Sequence, residues 1–509
     1  QMCIRDRHAV LHPALPVIDN IAYLVGTEDR PGRLLHPGVS FYLPFTTVEV
    51  LAIPLTHPEL LAGIGYLGMG HEEAYGGTNL DLISQAIAGE AVAGACASTF
   101  LSCGASSGLF GMPLRLFGSE EQKKKYLPRL AKGAISAFAL TEPQVGSDPA
   151  KMRTKAELSE DGAYYTLNGE KLWCTNGPCA EILVVMALTA PKIVKGRERP
   201  QVTAFIVESS EPGFEVVHRC SFMGIRGISN GLLRFNNVKV PAENIIGQPG
   251  QGLKIALTTL NTGRLTMPAT AVAVGKMCMH YGQKWVNERV QWGAPIGKHQ
   301  PVARMIAEMA ADTFAMDSIN ALACAMVDQG GVDVRLEAAM AKYYCSETAW
   351  RILDDFVQVR GGRGYETAES LGALGEEPIP AERMFRDARI SRIIEGTSEI
   401  MRLFIAREAM DTHVRRLMPI MTGKGPKGKL IWEALTFYAK WYPKVLLPTS
   451  VSLNVRHLSP KNQDHVIFVA RTCKKLARTL FHTMAKYRQK LEREQLVLQA
   501  LVDIGTDLF

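Results

Sequence analysis

The sequence is short of several features that would have settled its class at once. It has no uninterrupted apolar run of the ~18 residues needed to cross a bilayer, which excludes a hydrophobic membrane-spanning helix. Its ten cysteines show no paired CxxC spacing. That argues against a zinc site or a disulfide framework and points to reduced thiols in a cytosolic or matrix-like compartment. No GxGxxG followed by an acidic residue comes after a strand pattern, so a Rossmann dinucleotide unit is not expected. Internal repeats and low-complexity tracts are missing too, which excludes a solenoid. There is no convincing signal peptide, and the first residue is Gln1 rather than methionine, as in a fragment.

What is there describes a soluble globular chain of several domains. It has 509 residues, 47% hydrophobic and 21% charged. The net charge of +7 is unevenly spread: residues 411–509 carry +10 and the rest −3. Residues 1–57 are rich in proline and histidine, with weak periodicity. From 58 to about 136 the pattern is helical, with Leu82, Ile83, Ala86, Ile87, Glu90 and Ala91 on one amphipathic run. Glycines 104, 108 and 111, spaced i, i+4 and i+7, would share a helix face. They fit either close helix packing or a groove carved for a long apolar chain.

Between 137 and 247 the pattern becomes strand-like. Ile182–Met186, Val202–Val207 and Leu232–Phe235 are its clearest runs, with turns expected at Asp161-Gly162, Asn168-Gly169 and Asn236-Asn237. Helical pattern returns over 248–412. A basic linker at Gly423–Lys429 leads into further helices at Leu430–Lys440 and Asp464–Leu501. The fold expected is α+β and multi-domain. It has an N-terminal helical domain, a middle all-β domain and a C-terminal helical bundle, followed by an additional helical segment over 413–509. Helix, strand, helix order excludes an alternating α/β sheet.

The chemistry centres on Ile393-Ile394-Glu395-Gly396-Thr397-Ser398-Glu399. A lone carboxylate in apolar company is poised to have its proton affinity raised. An ordinary acidic cap at a helix start fits these residues equally well. Two further stretches bear on that choice, Phe138-Ala139-Leu140-Thr141-Glu142-Pro143-Gln144-Val145-Gly146-Ser147 and Lys171-Leu172-Trp173-Cys174-Thr175-Asn176. Together, in order and spacing, the three resemble the acyl-CoA dehydrogenase family of flavoenzymes over about residues 60–410. The remainder resembles the extra helical domain of the very-long-chain members. Val145 stands where a small residue is usual.

The resemblance implies FAD held by Phe138, Leu140, Thr141, Gly146 and Ser147, with Trp173 and Thr175 beside the reactive ring. It implies an arm, Arg289, Gln291, His299 and Gln300, reaching the FAD of a neighbouring subunit, and hence a homodimer or larger homo-oligomer. Gln358, Gly361 and Gly362 would lie under the adenosine half, and Thr397 and Glu399 would also touch the cofactor. The acyl-CoA substrate would meet Ser147, Asn261, Arg264 and Gly396, with Gly108 and Gly111 flooring the acyl groove. Some relatives carry the base at the position of Gly263, so Glu395 is the candidate here.

The implied reaction is α,β-dehydrogenation of long-chain acyl-CoA to trans-2-enoyl-CoA in fatty acid β-oxidation. An electron-transfer flavoprotein would be the acceptor, and the location bacterial cytoplasm or mitochondrial matrix, or the inner-membrane surface. The alternatives are an acyl-CoA oxidase or a non-catalytic assembly scaffold. In 413–509, Arg415, Arg416, Lys424, Lys427 and Lys429 accompany Trp432, Phe437, Tyr438, Trp441 and Tyr442. Such a mixture fits peripheral contact with an anionic membrane, or a packed helical domain with a solvated basic face. No nucleic-acid motif accompanies the charge.

Overall fold

A computed structural model describes residues 58–509 except 195, 332, 424–425 and 448–457. The proposed 1–57 segment therefore lies outside the described residues, as does part of the Gly423–Lys429 linker. The described residues group into two compact units, one within 58–331 and 345–395, the other within 333–344 and 396–509.

In the first unit the N-terminal helices begin where capping chemistry supplies donors and acceptors. Asp81 accepts from the Ser84 amide at the start of α1, Leu82–Ala95. Ser119 and Gln122 form a reciprocal capping box on α4, Glu120–Ala131. Between them run α2, Ala97–Cys103, a π-helical turn, Gly104–Phe110, and α3, Gly111–Phe117. The π turn changes the expected glycine face. Its wider turn rotates residue 111 away from 104 and 108. A Cβ placed on Gly104 or Gly108 meets nothing within 4 Å, whereas one on Gly111 would stand 2.7 Å from His71 Nε2. Gly111 is thus a packing glycine, and of the three only 104 and 108 face open space among the described residues.

The β-domain is one mixed sheet in the order β6-β7-β3-β2-β4-β5-β8, with β1 added in parallel to β4. The strands are β1 Ser136–Ala139, β2 Lys155–Leu158, β3 Tyr164–Thr175, β4 Ile182–Val194, β5 Arg197–Glu208, β6 Phe214–Arg219, β7 Asn230–Pro241 and β8 Ile245–Ile246. The three apolar runs picked out by pattern fall in β4, β5 and β7. Ile182–Ala187 are fully buried, which explains the unbroken apolar stretch in the first half of β4.

Two of the three expected turns are not turns. Only Asp161-Gly162 connects strands. Asn168-Gly169 lies inside β3 opposite a bulge in β7, where Asn236 and Asn237 together face Asn168. Asn237 adopts φ +56° and Gly169 φ +148°. The Asn237 amide donates to Asn168 Oδ1. Asparagine and glycine satisfy a bulge by the same left-handed tolerance that suits them to turns.

Helices α5, Gly252–Glu288, and α6, Gln300–Gln329, carry the helical return. Lys276 on α5 ties α1 to α6 through Glu90 at 2.7 Å and Asp317 at 3.2 Å. Helix α7, Arg335–Arg360, follows.

The second unit is helical: α8 Ser398–Met421, α9 Lys427–Leu446, α10 Pro460–Tyr487 and α11 Gln495–Leu508. Its core is Met401, Ile405, Ala406, Leu498 and Val502. Asp503 gathers Tyr343 Oη at 2.9 Å and Arg402 Nε at 2.8 Å. Among the described residues no helix is long and apolar enough to cross a membrane.

Candidate active site

The stretches around Thr141 and Trp173 lie side by side. The Leu172 amide donates to the Thr141 carbonyl at 2.9 Å. Beneath that contact is a buried ion pair. Lys171 Nζ reaches Glu142 Oε1 at 2.8 Å and the Leu140 carbonyl at 3.2 Å. Glu142 also accepts from the amides of Arg153, at 2.6 Å, and Thr154, at 3.0 Å. Burial opposes its ionisation, but the Lys171 ammonium and these donors outweigh it and hold the Glu142 carboxyl below the ordinary range. Glu142 and Val145 exchange backbone bonds of 3.0 Å, closing a tight turn. Val145 packs inward at that turn, while Gly146 and Ser147 stay exposed.

Trp173 is on the surface, 59% exposed, and not in the core. The cause is a second bulge. Leu172 and Trp173 together face Leu232, and Trp173 takes φ +55°. A bulge re-aims a side chain, and a non-glycine residue in the left-handed region is strained, a combination frequent at functional sites. Thr175 accepts from Asn230 Nδ2 at 3.1 Å. Next to it, buried Asn176 clamps the helices to the sheet. It donates to the Ser102 carbonyl at 2.9 Å and the Ser136 carbonyl at 3.0 Å, and accepts from Ser102 Oγ at 2.6 Å.

Glu395 is half-buried and also adopts a left-handed conformation, φ +54°. Its carboxylate lies against Gly263 of α5. A Cβ built there would stand 3.0 Å from Oε1 and 3.1 Å from Oε2. The two positions that the sequence singled out as alternative homes for a base are therefore neighbours. Flanking Gly263 in the chain, Asn261 Oδ1 accepts from Arg264 Nη1 at 2.7 Å, and Arg264 is buried.

The arm is a two-residue hairpin, Val290–Gln291 paired with Ala294–Pro295. Its corner residues, Trp292 and Gly293, have φ +54° and +78°, as this tight turn requires. Trp292 is 95% exposed. His299 Nε2 lies 3.0 Å from the Gln291 carbonyl, and Gln300 opens α6. Residues 358–364, expected as a loop, are the end of α7 and a short helix, Gly362–Tyr365, broken at Gly361, and Trp285 joins the arm to them. Arg289, Arg360 and Arg363 stand over its ring, and its Nε1 donates to the Val359 carbonyl at 3.1 Å. Gln358 is exposed, and Cβ atoms on Gly361 or Gly362 would meet nothing within 4 Å.

In the second unit Thr397 caps α8, accepting from the Ile400 amide at 3.3 Å, and Glu399 sits exposed in its first turn. The Gly396 carbonyl accepts from buried Lys342 Nζ at 2.7 Å.

Sequence reasoning passed over Glu142, Lys171 and Asn176 as individual residues. The available signal was a lysine inside a strand pattern and an asparagine at its end.

An exposed indole on a bulge and a tight turn ending in an open glycine suit a planar aromatic ligand such as a flavin, and the open glycines 361 and 362, with Arg360 and Arg363 beside them in the chain, suit a phosphate-bearing one.

Helical, β and helical regions in this order are the architecture of the acyl-CoA dehydrogenases, a class of oxidoreductase. Three family models match: the acyl-CoA dehydrogenase N-terminal domain over 53–134, the middle domain over 137–238 and the C-terminal domain over 250–410. The chain belongs to the acyl-CoA dehydrogenase family. It is 45% identical over 466 residues to the probable acyl-CoA dehydrogenase FadE10 of Mycobacterium tuberculosis, a match covering 90% of this chain and 70% of that protein. It is 33% identical over 458 residues to the mitochondrial very long-chain specific acyl-CoA dehydrogenase of Rattus norvegicus, covering 88% and 67%. Among solved structures it is similar to an acyl-CoA dehydrogenase complexed with FAD from Bacillus anthracis. There the TM-score is 0.74 and the identity 31%, over 89% of this chain and 74% of that one.

Proposed function

We propose that this enzyme oxidises long-chain fatty acyl-CoA to trans-2-enoyl-CoA with FAD, and that Glu395 is the base. The observation that carries the reading is the contact of the Glu395 carboxylate with Gly263, where any side chain would crowd it. Bound flavin would supply the acceptor for the β-hydride, with an electron-transfer flavoprotein as the partner that takes the electrons.

The chain's own residues do the rest. Glu395 takes the α-proton, and its basicity rises as the seating thioester displaces water from the carboxylate. Thr141 and Trp173, fixed by the Glu142–Lys171 pair, hold the ring, with Phe138, Leu140, Gly146, Ser147 and Thr175 around it. Gln358, Gly361 and Gly362 receive the adenosine half, and Thr397 and Glu399 complete the cofactor set. Ser147, Asn261, Arg264 and Gly396 receive the CoA thioester. The acyl chain runs past Gly104 and Gly108, whose open faces suit a long tail. Gly111 drops out of that groove.

The arm with Arg289, Gln291, His299 and Gln300 serves the site of a second copy, which makes the working form at least a homodimer. Its exposed Trp292 is an apolar hook that one copy leaves uncovered among its described residues. Peripheral contact with an anionic surface through 413–509 now rests on the charge and on Trp432, 68% exposed. The other four aromatics of that stretch are not exposed. Phe437, Tyr438 and Trp441 surround His413, and Tyr442 lies against Phe481.

Glu395→Gln is the test. FAD content and acyl-CoA binding should persist, while flavin reduction falls by about 10²–10⁴-fold, the usual loss for a general base. Stopped-flow reduction at the wild-type rate would refute the assignment. Turnover with oxygen alone, in place of a dye or flavoprotein acceptor, would move the reading to an oxidase.

A further inference from the structure

We infer that the groove between α9 and α10 is a binding site for a phosphate group. This inference is independent of the dehydrogenase reading. The groove is a cavity of about 340 Å³ lined by Tyr442, Leu446, Lys475, Arg478, Thr479 and His482. No acidic residue is among them. Positions 475, 478, 479 and 482 follow i, i+3, i+4 and i+7 spacing, so α10 presents them on one face. Positions 442 and 446 are one turn apart on α9.

The walls are fixed. Tyr442 Oη lies 3.0 Å from His482 Nε2 and joins the two helices at the rim. Below them Phe481 packs on Tyr438, Trp441 and Tyr442, with ring centroids 5.2, 5.4 and 5.9 Å away. The neighbouring Lys474 is occupied elsewhere, donating to the Leu447 carbonyl at 3.3 Å. Lys475 and Arg478 have no carboxylate partner among the described residues. Like charges one turn apart on a helix repel each other, so an anion between them relieves a cost the empty groove carries.

The donor set matches phosphate. Arg478 offers a planar fork that bonds two phosphate oxygens at once, and Lys475 adds a point charge. The Tyr442 hydroxyl and His482 ring supply further polar atoms at the rim. The volume, at the lower end of small-molecule sites, exceeds what bare phosphate fills and suits a phosphorylated headgroup or small ester. Leu446, 48% exposed, gives one wall an apolar edge for whatever the phosphate is attached to.

The phosphate could belong to a soluble ester or to an anionic lipid, and the test separates them. The full-length protein is titrated with inorganic phosphate by calorimetry. It is also sedimented with phosphatidylcholine vesicles containing or lacking phosphatidic acid. The groove variant is Lys475→Gln/Arg478→Gln. The control, Lys486→Gln/Lys490→Gln, removes the same charge from residues that do not line the groove. Phosphate affinity should fall at least about tenfold in the groove variant and hold in the control. Vesicle binding lost in the groove variant alone assigns a lipid headgroup. Phosphate binding without vesicle binding assigns a soluble ester. Circular dichroism checks both variants. Tyrosine and tryptophan fluorescence of the wild type during the phosphate titration reads the site without any substitution. Equal losses in the two variants, or no phosphate response in the wild type, overturn the proposal.

Discussion

Replacing Gly263 with alanine should separate stability from catalysis. The new Cβ would stand 3.0 Å from Glu395 Oε1 and 3.1 Å from Oε2. Carbon and oxygen at rest sit roughly 3.5 Å apart, so the carboxylate must retreat by about half an ångström. Misplacement of a reacting group by about 1 Å can cost 10²-fold, so the expected loss in flavin reduction is roughly ten- to a hundredfold. The same substitution lies inside α5, where alanine replaces glycine with a gain of about 0.5–1 kcal/mol in helix stability. The FAD-to-protein ratio should not change, because no residue proposed to hold the cofactor is touched. Anaerobic stopped-flow with palmitoyl-CoA reads the rate, and thermal unfolding reads the stability. A variant that reduces its flavin at the wild-type rate would refute the placement of the carboxylate against this glycine.

Other outcomes follow from the same geometry. Lys171→Met leaves the Glu142 carboxylate buried without its cation and should destabilise the protein by about 3–5 kcal/mol, with loss of bound FAD, measured by denaturant unfolding and flavin absorbance. Glu142 has a depressed folded-state pKa, so its stabilising contribution is complete above the ordinary carboxylate range. It should fade as pH falls through the lower, folded value. An acid-side stability loss that persists unchanged in Glu142→Gln would place its origin elsewhere. Gly108→Phe should lower activity on a palmitoyl thioester at least about tenfold more than on an octanoyl one, as judged by kcat/KM. Gly111→Phe should instead fail in the fold on both substrates. It drives a ring into His71, a buried imidazole held down to about 4 by burial and Arg115. Equal, fold-neutral losses from both substitutions would contradict the open face at 108.

Much of this was legible in the sequence because period and motif spacing are local. The apolar runs at 182–186, 202–207 and 232–235 became strands, and Leu82–Ala91 fell within one helix, though its buried residues are Leu82, Ala86, Ala88, Gly89 and Ala93 rather than the single face expected. What escaped was set by geometry that residue type does not report. Asn-Gly and Asn-Asn satisfy a bulge as well as a turn, so two strands were cut where the sheet runs on. A spacing of i, i+4 and i+7 implies one face only on an α-helix, and the π turn at 104–110 breaks that premise. The Trp173 motif could be matched by pattern, but only the bulge explains why a large aromatic points out of a strand. Glu142 and Lys171 were visible as letters; their pairing links residues far apart in the chain and belongs to the tertiary fold.

The second bulge also governs how the gene can vary in length. On the far side of Leu172-Trp173 the inward face of β3 passes from Lys171 to Cys174, a change of parity. One codon gained or lost between Gly169 and Lys171, outside the bulge, would throw one end of the strand out of parity with the other. The Asp161-Gly162 connection has no such parity to keep. Drift in length among descendants of this sequence should therefore collect at that hairpin tip, while β3 keeps a fixed count of residues.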